Sequence, residues 1–174
     1  MLVVAFDPGL TGACAVLDHT GLRAVFDLPT MEDPTAGEKT LVRRKIDCRA
    51  LVRLLRGHCP AQEGRPVSLI EAVTVTGPQH GHGVQSQGSL QRTFGAVEAV
   101  LECLGWSPEY VRPQAWKKAY GLLDGKKTTT QRKRASIECA QRLYPACAVI
   151  GRAKDHNRAE AVLLGHWRLM LEAR

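Results

Sequence analysis

Nowhere in the 174 residues does an apolar run approach the roughly 18 residues that a membrane span requires, and no basic-then-apolar leader opens the chain. These two absences predict a cytoplasmic protein with no membrane partner. The six cysteines (Cys14, Cys48, Cys59, Cys103, Cys139 and Cys147) include no CxxC pair, so neither a zinc site nor a disulfide framework is expected. Several fall in apolar or helical patterns, where Cys behaves as a small hydrophobe; they read as reduced thiols. Acid is missing from one whole stretch, since no Asp or Glu lies between Gly125 and Ile137. What remains is 44% hydrophobic with a formal charge of +7. That composition fits one soluble domain over residues 1–174 and favours a polyanionic partner.

Acids stand where apolar runs end. Leu2 to Phe6 reads as a buried strand. It stops at Asp7, and Pro8-Gly9 punctuates a turn before Ala13 to Leu17 resumes the pattern. The expectation is a hairpin that delivers Asp7 to the edge of a core, where a carboxylate either bonds its own turn or faces a cation. Leu22 to Leu28 predicts a third strand and Pro29 to Glu38 a loop. Asp47 reads as the N-cap of a helix carrying Leu51, Leu54 and Leu55 and stopped by Gly57. Val67 to Ile70 predicts a strand parallel to the first, reached through that helix, and it runs into Glu71. The glycine-rich stretch from Thr74 to Gln87 predicts a loop, either touching a ligand or simply lying on the surface. Nothing near its His80 and His82 completes a metal-ligand set.

Leu90, Phe94, Val97, Leu101 and Leu104 keep helical spacing up to Gly105, and Tyr110-Val111 gives a short fifth strand. Pro113 suits the first turn of a helix in which Trp116 packs and Lys117 and Lys118 stand close to a strand end. Lys126, Lys127, Arg132, Lys133 and Arg134 then place five cations within nine residues, with Thr128 to Thr130 able to cap the helix that follows. Such a run is either a solvated helix face or a surface for phosphate; the lack of interleaved acid favours the second. The last helix opens at Asp155, a natural N-cap. Glu160 lies between alanines that let this helix approach a sheet, on the same helical face as His156.

Three elements thus present carboxylates. Hard oxygen ligands point to Mg²⁺, with Mn²⁺ as a substitute, and no small-molecule cofactor is expected. Two such ions activate a water and stabilise the leaving oxygen in phosphodiester cleavage, while the basic residues hold the phosphate backbone. In order along the chain, Asp7-Pro8-Gly9-Leu10-Thr11-Gly12, then Ile70-Glu71, then Asp155-His156-Asn157-Arg158-Ala159-Glu160-Ala161 resemble the three acidic motifs of RuvC-type Holliday junction resolvases. These are crossover junction endodeoxyribonucleases of the ribonuclease H-like superfamily.

The resemblance implies an α/β ribonuclease H-like fold, a mixed five-stranded sheet flanked by helices on both faces. It also implies a homodimer making Mg²⁺-dependent paired nicks in branched double-stranded DNA, the four-way junction. By position Asp7, Glu71 and Glu160 match metal-binding catalytic acids. Asp155 or His156 would supply the ligand that the family usually takes from the place of Asn157. Lys117 or Lys118, and Lys126 or Lys127, are similar to family lysines near the scissile phosphate; Arg132 and Lys133 complete the expected nucleic-acid-binding set. Thr74 stands where the family's classical member carries an aromatic wedge.

Three other readings compete. A nuclease of the same fold acting on flap DNA, other branched DNA or structured RNA would keep the acids and lose junction preference. Actin-like ATPases and sugar kinases also open with a strand, an Asp and a glycine turn, but 174 residues are too few for their two lobes. A catalytically silent nucleic-acid-binding relative is disfavoured by the acids at Asp7, Glu71 and Glu160, which repel a polyanion.

Overall fold

Strand β1 (Val3–Asp7) is apolar until its last residue and is hydrogen-bonded on both sides. A tight turn returns the chain through β2 (Ala13–Asp18), and β3 (Gly21–Asp27) follows, both antiparallel to their predecessors. Gly12 makes that first turn possible: its N–H donates to Gly9 O at 3.0 Å, and a Cβ there would lie 2.2 Å from the Asp7 carbonyl oxygen. Helix α1 (Cys48–His58) then crosses to β6 (Val67–Glu71), which lies parallel to β1, and β7 (Pro108–Val111) adds a parallel edge. The computed structural model describes residues 1–37, 40, 42–73 and 83–172. Its main sheet has the order β3-β2-β1-β6-β7, a mixed five-stranded sheet as expected.

Period-two alternation divides the core. Val3, Ala5 and Leu69 face one side, where they pack with α3 (Pro113–Ala119), α4 (Thr129–Leu143) and α5 (His156–Glu172). Val4, Phe6 and Ile70 face the other, against α1 and α2 (Val84–Cys103). Continuing the alternation sends Asp7 and Glu71 to the α5 side. Because β1 and β6 are parallel neighbours, both acids leave the sheet along the same edge.

Three sequence expectations need correction. Within the predicted loop from Pro29 to Glu38, β4 (Thr30–Glu32) pairs with β5 (Arg44–Ile46) as a small separate sheet. Three residues are too few for alternation to show in a sequence. Gly57 lies inside α1, which ends one residue later where Cys59 N–H donates to Leu55 O. Gln85 and Gln87 belong to α2 rather than to a loop. Thr74, His80 and His82 lie outside the described residues. Two expected caps are present: Asp47 accepts from Ala50 N–H, and Thr128 exchanges hydrogen bonds with Gln131 in a capping box. Asp155, expected to cap the last helix, instead ends a 3-10 turn and accepts from Gly151 and Arg152 N–H. No helix among the described residues is long and apolar enough to cross a membrane.

Candidate active site

Asp7, Glu71 and Glu160 converge on the sheet edge where β1 and β6 end. The proximity shows in their electrostatics. Burial pushes the Asp7 carboxyl well above the usual carboxylate range, and the charges of Glu71 and Glu160 push it further. Lys117 and Lys133 pull the other way. Glu71 is also raised, first by burial; Lys117 opposes this, Glu160 adds to it, and a hydrogen bond from Trp116 lowers it again. That bond, Trp116 Nε1–H to Glu71 Oε2 at 2.8 Å, fixes the carboxylate from a fully buried indole.

Glu160 is held from two sides. Lys117 Nζ donates to Oε2 at 2.8 Å and Ser136 Oγ to Oε1 at 3.0 Å. The Lys117 ammonium lies 5.0 Å from the centre of the Trp116 ring. Burial alone would lower its pKa, but Glu160, Glu71 and Asp7 outweigh that and hold it raised. Lys117 therefore sits inside the acid cluster, paired with Glu160. Ser136 and Trp116 went unnoticed as site residues in the sequence, because their roles depend on α4 and α3 docking beside α5.

His156 faces the same cluster. Burial and the charge of Lys133 lower its pKa, while Glu160 pulls it up. Its Nδ1 is buried and has no hydrogen-bond partner among the described residues. Asp155, expected as a ligand, is committed elsewhere. Its oxygens accept from Gly151 N–H at 3.1 Å and Arg152 N–H at 2.8 Å, and they pair with the Arg152 guanidinium. These bonds hold its carboxyl well below the usual range. It lies in a short 3-10 turn before α5, where the five-residue step to Glu160 points it away from that acid's face. Asn157 donates from Nδ2 to Thr11, at 3.2 Å for Oγ1, and so ties α5 to the β1–β2 turn.

Of the remaining basic residues, Lys133 is exposed on α4, one turn from Ser136, and its field reaches Asp7 and His156. Lys118, Lys126 and Arg132 are exposed, and Lys127 stands 3.9 Å from Asp124. Three carboxylates and a neutral imidazole are a suitable donor set for a hard divalent cation. Among the described residues, however, no three His, Cys, Asp or Glu side chains are drawn close enough to grip an ion as they stand. Lys117 supplies the positive charge that partly balances the acids.

Sheet order, crossover and helix placement together define a ribonuclease H-like fold with acids gathered where β1 and β6 end. Among solved structures, the chain is similar to T. thermophilus RuvC in complex with a Holliday junction substrate, with a TM-score of 0.64 and 12% identity over 99% of this chain and 96% of that one. A second Thermus thermophilus RuvC structure gives a TM-score of 0.60 and 12% identity over 99% and 97%. The fold is that of RuvC-type resolvases. No protein-family model matches the sequence, and no curated protein does.

Proposed function

We propose that the chain acts as one metal-dependent endonuclease domain that cleaves phosphodiester bonds in branched DNA, with the four-way junction as its preferred substrate. The observation that carries this reading is the convergence of Asp7, Glu71 and Glu160, flanked by Lys117 and Lys133, at the edge where two parallel strands end. A RuvC structure of the same fold, in complex with a Holliday junction, supports the choice of substrate.

Asp7, Glu71, Glu160 and His156 would hold Mg²⁺ or Mn²⁺, the imidazole taking the place expected of Asp155. A bound divalent cation supplies an activated water and stabilises charge on the leaving oxygen. The chain's own residues do the rest. Trp116 and Ser136 orient two of the acids, Lys117 moves from Glu160 toward phosphate as the substrate enters, and Lys118, Lys126, Lys127, Arg132 and Lys133 hold the backbone. Paired nicks on opposite strands require two such sites, so the working form is a homodimer.

The test is cleavage of labelled four-way junction, flap, linear duplex and structured RNA, with Mg²⁺ and with EDTA, by the protein and its Asp7→Asn variant. Symmetric, metal-dependent nicks in the junction that vanish in the variant while binding persists are expected. Cleavage by Asp7→Asn would sink the mechanism. Equal cutting of every branched substrate would retain the chemistry and remove the junction preference, as Thr74 in place of an aromatic suggests.

A further inference from the structure

Helix α1 carries no acid; its Arg49, Arg53 and Arg56 stand four and three residues apart and so share one face. All three are exposed, while Leu51 and Leu55 bury the opposite side. None of the three pairs with a carboxylate among the described residues. Arg44 and Lys45 of β5 continue the stripe: Arg44 is fixed on Thr30, and Lys45 lies 3.9 Å from Asp33. Lys45, Arg49 and Arg53 line one depression of about 540 Å³. Between residues 43 and 56 the chain has six cations and one acid, Asp47, whose side chain is occupied in capping α1.

The position matters as much as the charge. α1 packs on the face of the sheet opposite α4, so the stripe is separate from the basic run beside the acids. It nevertheless starts at the same edge. Leu28 N–H, just past β3, donates to Gly12 O, and Asp47 N–H donates to Pro29 O. From Arg49 to Arg56 the helix advances about 10 Å, a length over which duplex DNA presents about six phosphates.

We infer that α1 and β5 form a second phosphate-binding surface, which holds a duplex arm of the nucleic acid away from the bond being cut. The inference rests on the nuclease reading for the identity of its ligand. An arm gripped here and a strand gripped along α4 pass on opposite faces of the sheet and meet only at the catalytic edge, which is how a branched substrate differs from a straight one.

The experiment measures binding in EDTA, across a salt titration, to four-way junctions with long arms and with arms trimmed to the crossover. The full chain is compared with its R49Q/R53Q/R56Q and R49K/R53K/R56K variants. For long arms, the glutamine variant should flatten the slope of log affinity against log salt by about 2.7, three contacts at about 0.9 each. It should bind about tenfold more weakly at moderate salt. The lysine variant should match the parent, and trimmed junctions should bind all three proteins alike. An unchanged slope in the glutamine variant, as expected if this face docks an acidic protein, overturns the inference. Equal losses on long and trimmed arms also overturn it, by placing the arginines at the crossover. A parent protein that binds junctions with the predicted arginine dependence and never cuts them would defeat the nuclease reading while leaving this surface standing.

Discussion

His156, rather than Asp155, is the neighbour of Asn157 that faces the acids. The position three before Glu160 serves as a tether to Thr11, and the residue before it brings an imidazole to the acids. Asp7 and Glu71 were legible because each ends an apolar run, and Glu160 because an acid between alanines is out of place on a buried helix. The fate of Asp155 was not legible, since its partner Arg152 is brought round by a 3-10 turn that spacing does not reveal. The two residues should separate in one experiment. His156→Ala should weaken Mn²⁺ binding, read by calorimetry, on the order of tenfold or more, with the melting temperature little changed. Asp155→Ala should leave Mn²⁺ affinity near that of the parent. It should cost about 2 kcal/mol of stability through lost charge-assisted hydrogen bonds, roughly 5 °C in Tm for a chain of this length. The reverse pattern would restore Asp155 as a ligand.

Among the elements, α5 decides whether the site exists. It presses on the centre of the sheet through Ala159, Ala161 and Gly165, all buried. A Cβ on Gly165 would lie 2.3 Å from Leu17 Cδ1 and 3.4 Å from Ala5 Cβ. Leu17 is itself fully buried, so Gly165→Ala must lift the helix or force a rotamer, at about 1–3 kcal/mol. Since Glu160 lies on the same helix, the lift carries it from Asp7. The expected result is a Tm lower by roughly 5 °C and a cleavage rate that stays depressed well below the new Tm. Full activity at low temperature would show that the core absorbs the methyl locally. The alanines flanking Glu160 announced this close approach in the sequence. The β4–β5 pair did not announce itself, because each strand is three residues long and its bonds close a loop that contains Pro34.

At the scale of the whole molecule, charge sets the tolerance of acid. Asp18 is buried, which alone would raise its carboxyl, but hydrogen bonds from Thr20 and Arg23 win and hold it at about 2, against 3.8 for a free side chain. The Arg92 guanidinium and Thr35 hold Asp33 low in the same way. A carboxyl whose folded pKa lies below its unfolded one stabilises fully above the unfolded value, and that contribution is lost as pH falls through the folded one. Tm should therefore hold down to about pH 4 and drop between there and about pH 2, and Asp18→Asn should make the drop shallower. An unaltered acid limb would mean that other carboxylates govern it. The basic balance was legible from composition. Its division between two faces of the sheet was not, because residues 43–56 and 126–134 are assigned to opposite sides only by the crossovers. The same long-range construction orders the protein's birth. The Asn157–Thr11 bond spans 146 residues, and Glu160 is made long after Asp7 and Glu71. A chain emerging from the ribosome carries Asp7 and Glu71 into the open long before their partner exists, so the acid cluster stays unassembled beside messenger and ribosomal RNA until α5 has emerged and docked.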